Sequence, residues 1–337
     1  MPANAYNYQQ MHRRISSYCS RRKWILLIAL TSCSVVLVVI LTRHPIIEND
    51  TIVRDTYLDD VPADLYQKVW DIWYNFSNGE KWYNKKNISA LSPEAFHDLL
   101  TDIRQNWIIW NHTAEESYML QEPDMEDPSM GQSTAIRQIF HDKKNGFFIE
   151  CGAYDGEVRS NTLYLERFNG WSGLLIEADP INFTKMLQKN RRAYLSPTCL
   201  SVTKRPTLAS FLMARNVGRL HEPGNTTENT PANTPDVAYT GEHVRVQCLP
   251  LTLYIAALGI KTVDYFSLDI EGNEIDVLET IPFDEVDIKA LSVEYIHNAK
   301  GRKYLIDMME RRGYYVYSFV KHPDNLANDI IFVKRTE

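Results

Sequence analysis

The chain lacks the glycine-rich signatures of the commonest phosphate binders. It has no GxGxxG, and no Lys follows its glycine motifs in the P-loop manner, which removes the dinucleotide and P-loop readings. Cysteine is scarce, five in 337 residues, and no Cys and His stand at metal-ligand spacing. The nine histidines are scattered, so no metal is expected. Basic residues are short in supply beyond the N-terminus. Arg13, Arg14, Arg21, Arg22 and Lys23 face no acid within residues 1–23, so the rest of the chain carries −12 against −7 overall. A body this acidic has no basic footprint for nucleic acid, and none is expected as a partner. Internal repeats are absent as well, which excludes solenoids and propellers.

Only one long apolar run is present, Trp24 to Thr42, 19 residues without a charge. A bilayer needs about 20. Five cations precede the run and Arg43, His44 and Pro45 follow it. The run is too long for a cleaved signal peptide and lacks a small-residue cleavage site. The charge asymmetry predicts a signal anchor with residues 1–23 in the cytosol and everything beyond 43 in the lumen, a type II single-pass topology. The membrane is thus an expected partner. Five N-x-[ST] sequons, at Asn75, Asn87, Asn111, Asn182 and Asn225, all lie beyond the run, as glycosylation in the lumen requires. The three within 75–111 are the better candidates, because that stretch reads as surface stem.

Cys151, Cys199 and Cys248 would then lie in an oxidising compartment. Cys151 follows a buried strand and reads as a small hydrophobe, leaving Cys199 and Cys248 as the expected disulfide. Residues 43–130 read as a helical stem and linker. The stem holds Trp70, Trp73, Trp107 and Trp110, which could pack on the main domain or bind a partner, and packing is the expectation. Ser92-Pro93-Glu94 reads as a helix start, with Ser at the N-cap and Pro at the first helical position. From 131 to 337, strands and helices alternate: GFFIEC, GLLIEA, AYLSPTC, VRVQC, VDYFSLDI and KALSVEYI read as strands, with helices between most of them. YYVYSFVKH and DIIFVKR read as a final antiparallel hairpin. This order predicts an α/β mixed sheet covered by helices on both faces. The stretch His221 to His243, rich in Asn, Thr and Pro, reads as a long loop.

The chemistry concentrates in two motifs. Phe147 to Gly156, FFIECGAYDG, and Phe266 to Glu274, FSLDIEGNE, each end a buried strand in a carboxylate and a glycine turn. Such turns open the crevice at the carboxyl ends of an α/β sheet. Gly152 would let the backbone approach a ligand closely. Glu177 ends the next strand, about 25 residues after Gly152, where an acid accepts hydrogen bonds from ribose hydroxyls. The order and spacing point to a S-adenosylmethionine-type site. Asp269 could instead cap the helix that follows it.

From about residue 131 to 337 the sequence resembles the FkbM-type methyltransferase domain, through FIECGAYDG, Ser160-Asn-Thr162, GLLIEADP, FSLDIEGNE and LSVEYIH. The resemblance implies a class I methyltransferase (Rossmann-like) fold and O-methylation with S-adenosylmethionine. It implies Glu150, Gly152, Asp155, Glu177 and Asp269 in the cofactor pocket. It implies Glu271, Glu294 and His297 near an acceptor hydroxyl, with His297 or a carboxylate as base. The whole layout is similar to the Star-like proteins of insects, through VDYFSLDIEGNE, ETIPFD and DNLANDIIFVK. That likeness implies a different role, the movement of membrane-tethered cargo such as growth-factor precursors through the endoplasmic reticulum, Golgi and endosomes. Two readings follow: a trafficking protein reusing an enzyme fold, taken first because fold does not dictate function, and, as the alternative, an active lumenal O-methyltransferase.

Overall fold

The computed structural model describes residues 83, 87–110, 112, 116–221, 242–323 and 326–336. The expected tail, the anchor at 24–42, the sequons at Asn75, Asn111 and Asn225 and most of the loop 221–243 lie outside these residues. Among the described residues no helix is long and apolar enough to cross a membrane.

Strands form where apolar runs are buried on two sides. β2 (Phe147–Cys151), β3 (Ser172–Ile176), β9 (Thr262–Leu268) and β10 (Asp287–Glu294) pair in parallel, with β4 (Tyr194–Ser196) beyond β3. Successive side chains point to opposite faces, so each strand feeds two cores. Ile149 and Cys151 pack with Ile103, Tyr254, Ile275 and Met309 on one face, whereas Phe148 packs with Ile136, Phe183 and Met186 on the other. Both faces being covered explains why these strands read as continuous apolar runs. The full order is β1-β4-β3-β2-β9-β10-β12-β11, where β1 is Ile109–Trp110. β12 (Asn328–Lys334) pairs antiparallel with both β10 and β11 (Tyr314–Lys321), the expected hairpin. The connections run outward in opposite directions from β2 and β9. Their loops therefore part at the carboxyl ends, and a crevice opens there.

The helices start where the sequence supplies caps. Ser92 accepts a hydrogen bond from the Ala95 N–H at 3.2 Å and opens α1 (Pro93–Asn106). Asp179 accepts from Ile181 and Asn182 and opens α4 (Pro180–Leu187). Between these come α2 (Gln132–Ile139) and α3 (Leu163–Asn169), and later α5 (Leu251–Leu258), α6 (Glu274–Thr280) and α7 (Gly301–Arg311). Asn182 is 1% exposed on α4, so a glycan has no room there in the folded protein. Asn87 is exposed.

Three features depart from the sequence reading. AYLSPTC is two strands. Pro197, which has no N–H for a ladder, separates β4 from β5 (Cys199–Leu200), and β5 joins a second sheet of order β5-β8-β6-β7. β6 (Thr207–Met213) has no clear alternation and was not expected; β7 (Arg219–Leu220) is too short to signal itself, and β8 is Glu242–Leu249. Cys199 and Cys248 sit opposite each other on β5 and β8 and form a disulfide across 49 residues. Closing a loop of this size contributes about 4 kcal/mol in the chain-entropy model. Finally, part of the expected stem and linker is tied down. Leu99, Ile103 and Trp107 are core residues. The Gln121 and Glu122 amides donate to Glu157 at 2.9 and 2.7 Å, and Arg167 donates to the carbonyls of Pro123 and Met125. Trp110 remains 49% exposed.

Candidate functional site

The site begins where β2 and β9 end side by side. The Asp269 N–H donates to the Cys151 carbonyl at 3.1 Å. Gly152 then turns at φ +79°, and a Cβ there would lie 1.8 Å from the Asp269 carbonyl oxygen. Only glycine lets the two strand ends approach this closely. Cys151 beside it is a buried free thiol that burial pushes up, inert as a small hydrophobe is.

The loop after Gly152 is held by two of the expected cofactor residues. Glu150 accepts from Ser160 Oγ at 2.9 Å, from the Asn161 N–H at 2.7 Å and from Thr162 Oγ1. Its carboxyl is raised by burial, opposed chiefly by the nearby guanidinium of Arg191. Glu150 therefore positions the loop, and it also lines the second cavity described below. Asp155 accepts from the Glu157 and Val158 amides at 2.9 and 2.8 Å and lies 3.8 Å from Lys189. It caps its own turn and lines neither cavity described below, contrary to the sequence expectation.

Glu177 stands at the crevice. It lies 6% exposed after β3 and accepts from the Tyr154 N–H and the Asp179 N–H, both at 2.8 Å, one on each oxygen. Burial first, and then the Asp179 carboxylate, push its carboxyl up to about 8. Glu177 lines a cavity of about 80 Å³ together with Ile176, Thr198, Leu200, Phe211 and Asp269. The second sheet and the disulfide build the far wall. Phe211, Asn216 and Leu220 thus enter the site from a segment in which the sequence showed no motif.

A second, polar cavity of about 190 Å³ adjoins the first through Gly152, Tyr154, Asn216, Asp269 and Glu271, which line both. Its own walls include Gln132, Asn161, Ser267 and Glu294. Behind it stands a dense group of acids. Glu271 sits on the turn after β9 at φ +58°. Asp269 and Glu294 are both held well above the usual carboxylate range, chiefly by burial and then by neighbouring carboxylates, Glu271 first for Asp269 and Asp269 first for Glu294. Asp269 does not cap the motif's helix, whose N-cap is Asn273, and Glu274 holds the turn before it. One Glu274 oxygen accepts from the Ile270 and Gly272 amides, each at 3.0 Å, and burial pushes its carboxyl up to about 7. His297 Nδ1 lies 2.6 Å from Glu271 and 3.0 Å from Glu294. Its side chain is 1% exposed and lines neither cavity. Glu271 and Glu294 reach the cavity; His297 reaches it only through them.

Among curated proteins none matches the sequence. Among solved structures, the N-terminal domain of human METTL16 in complex with SAH is similar at 10% identity and a TM-score of 0.35, over 83% of this chain and 97% of that one. The human methyltransferase 10 domain containing protein is similar at 10% identity and a TM-score of 0.34, over 72% of this chain and 96% of that one. Residues 150–316, which contain both glycine turns, the acids of the two cavities and His297, match the family model of the methyltransferase FkbM domain, and this segment is similar to that family.

Proposed function

We propose that the chain is an S-adenosylmethionine-dependent O-methyltransferase. One observation carries the reading: two adjoining cavities meet at Gly152 and Asp269, one bearing the ribose-type acid Glu177 and the other a set of carboxylates. The residues suit this cofactor. Gly152 lets the ends of β2 and β9 close on each other between the two cavities, and each Glu177 oxygen spends one lone pair on an amide and keeps another for a hydroxyl. When bound, S-adenosylmethionine supplies an electrophilic methyl group. Glu177 would hold the ribose, beside the strand ends that Gly152 allows to meet. Glu271 lines both cavities and is oriented by His297, so it is placed to take the proton of an acceptor hydroxyl. Removing such a base typically costs about 10²–10⁴-fold in rate. The purified protein should bind S-adenosylmethionine by calorimetry and label a hydroxyl acceptor from its radioactive methyl group. Glu271→Gln should bind as wild type and lose transfer within that range. Absence of cofactor binding by the wild-type protein would end the reading.

The trafficking role implied by the Star-like resemblance draws no specific support from this site, and the enzymatic reading is preferred. We retain the type II topology and a residence in the secretory and endosomal membranes as part of the proposal. The Cys199–Cys248 disulfide supports an oxidising compartment, and Asn87 offers an exposed sequon. Glycosidase treatment of protein from cells should lower its apparent mass, and Asn87→Gln should remove part of the shift. An unshifted protein whose C-terminus is reached by protease from the cytosol would overturn this topology.

A further inference from the structure

The acids behind the polar cavity converge on a point. One ligand atom from each of Asp269, Glu274 and Glu294 lies within 4.8 Å of the other two. Asp329 faces Glu294 across the β10–β12 ladder and adds a fourth carboxylate. Among the described residues no Lys or Arg forms an ion pair with any of these four. A second observation is independent of the clustering. Glu274 is 0% exposed, and while one of its oxygens accepts two amides, the other has no hydrogen-bond partner. One oxygen of Asp269 and one of Asp329 are likewise buried without a donor. Carboxylate oxygens buried without donors are costly. A hydroxyl donates to one oxygen at a time; a cation satisfies several together.

We propose that Asp269, Glu274 and Glu294 bind a hard divalent cation of the Mg²⁺ or Mn²⁺ class at the floor of the polar cavity. The donor set is all oxygen, which suits that class over softer metals. Asp269 and Glu294 line the cavity, giving the ion a path and leaving its outward positions to water or an acceptor oxygen. His297, 3.0 Å from Glu294, is the outer partner that orients a ligating carboxylate. The sequence showed no such site, because its ligands come from a strand end, a helix start and another strand end rather than from a spaced motif.

The site stands independently of methyl transfer, and its test uses the metal alone. The purified full chain, without cofactor, is titrated with Mn²⁺ by calorimetry and by electron paramagnetic resonance. One Mn²⁺ per chain is expected, with a rise in Tm. Glu274→Gln keeps an oxygen for the two amides and removes one negative charge. It should weaken Mn²⁺ binding at least about 100-fold and abolish the Tm rise, while the metal-free protein melts no lower than wild type. Asp269→Asn, at a less buried position, should do the same, and it decides the matter if Glu274→Gln does not fold. His297→Ala should cost about 10–100-fold in affinity, as loss of an outer partner does. Asp276→Asn, an acid of the same helix that pairs with Lys300, should leave binding unchanged. Wild-type protein that binds no Mn²⁺ at millimolar concentration would overturn the proposal, as would undiminished binding by Glu274→Gln or Asp269→Asn.

Discussion

The ligand-free protein should lose stability as pH rises from about 5 to 8, and Glu177→Gln should remove about one proton's share of that slope, roughly 1.4 kcal/mol per pH unit. The sign follows from burial. In the unfolded chain Glu177 ionises near the ordinary value of 4.5, whereas in the fold it holds its proton until about 8. Between these values the native state binds more protons than the unfolded state, so unfolding gains ground as pH rises. Below the lower value both states are protonated and the slope vanishes. Urea unfolding at a series of pH values measures it. The same substitution should weaken S-adenosylmethionine binding about 10–100-fold at pH 8, where the wild-type residue is becoming a carboxylate and hydrogen bonds to a charged acceptor contribute about 1.5–3 kcal/mol each. Wild-type affinity should accordingly improve as pH rises towards 8. An unchanged stability slope in Glu177→Gln would mean that the acid is ionised in the fold. Unchanged affinity would mean that it does not face the ligand.

The second large effect is expected at Gly152. Gly152→Ala adds a Cβ that would sit 1.8 Å from the backbone oxygen of Asp269 at a φ of +79°. A backbone atom cannot swing aside as the end of a side chain can, so the paired ends of β2 and β9 must part. We expect a loss of more than about 3 kcal/mol, at the severe end for single substitutions, together with loss of cofactor binding in whatever fraction folds. Gly259→Ala is the matched comparison. Its φ is also positive, at +66°, but nothing lies within 4 Å of the added methyl, so only the conformational penalty of about 1 kcal/mol applies. Denaturant midpoints of the two variants separate clash from backbone preference. Equal losses would show that the strand ends are not held together as described.

Much of this site lies in local patterns that a linear reading can see. The strand ends, the glycine between them and the acid after β3 are short-range features. A run such as FFIEC has to be buried on both faces, and the turn after it needs a residue without a Cβ. The start of α1 at Ser92-Pro93 is equally local, since a cap acts within one helical turn. The pairing of Cys199 with Cys248 followed once Cys151 was read as core.

Other features depend on which distant segments meet. Asp155 looks like a ligand in the motif, yet one of its oxygens accepts both amides of its own turn and the other faces Lys189. Phe211 and Asn216 become cavity walls only because β6 pairs with β8 and carries a second sheet up to the crevice. His297 stands beside the carboxylates as a candidate base in the sequence, but packing leaves Glu271 and Glu294 between it and the cavity. The gathering of Asp269, Glu274, Glu294 and Asp329 joins four acids from separate elements, and no one segment shows that they meet. The sequence by itself determined the central strands, the helices between them, the glycine turn and the acid that follows β3, because backbone conformation and two-sided burial are set by neighbours along the chain. Only the tertiary structure decided which carboxylates face one another, which are spent on amides and which are left without a donor, because hydrogen-bond satisfaction and charge crowding depend on groups brought together through space.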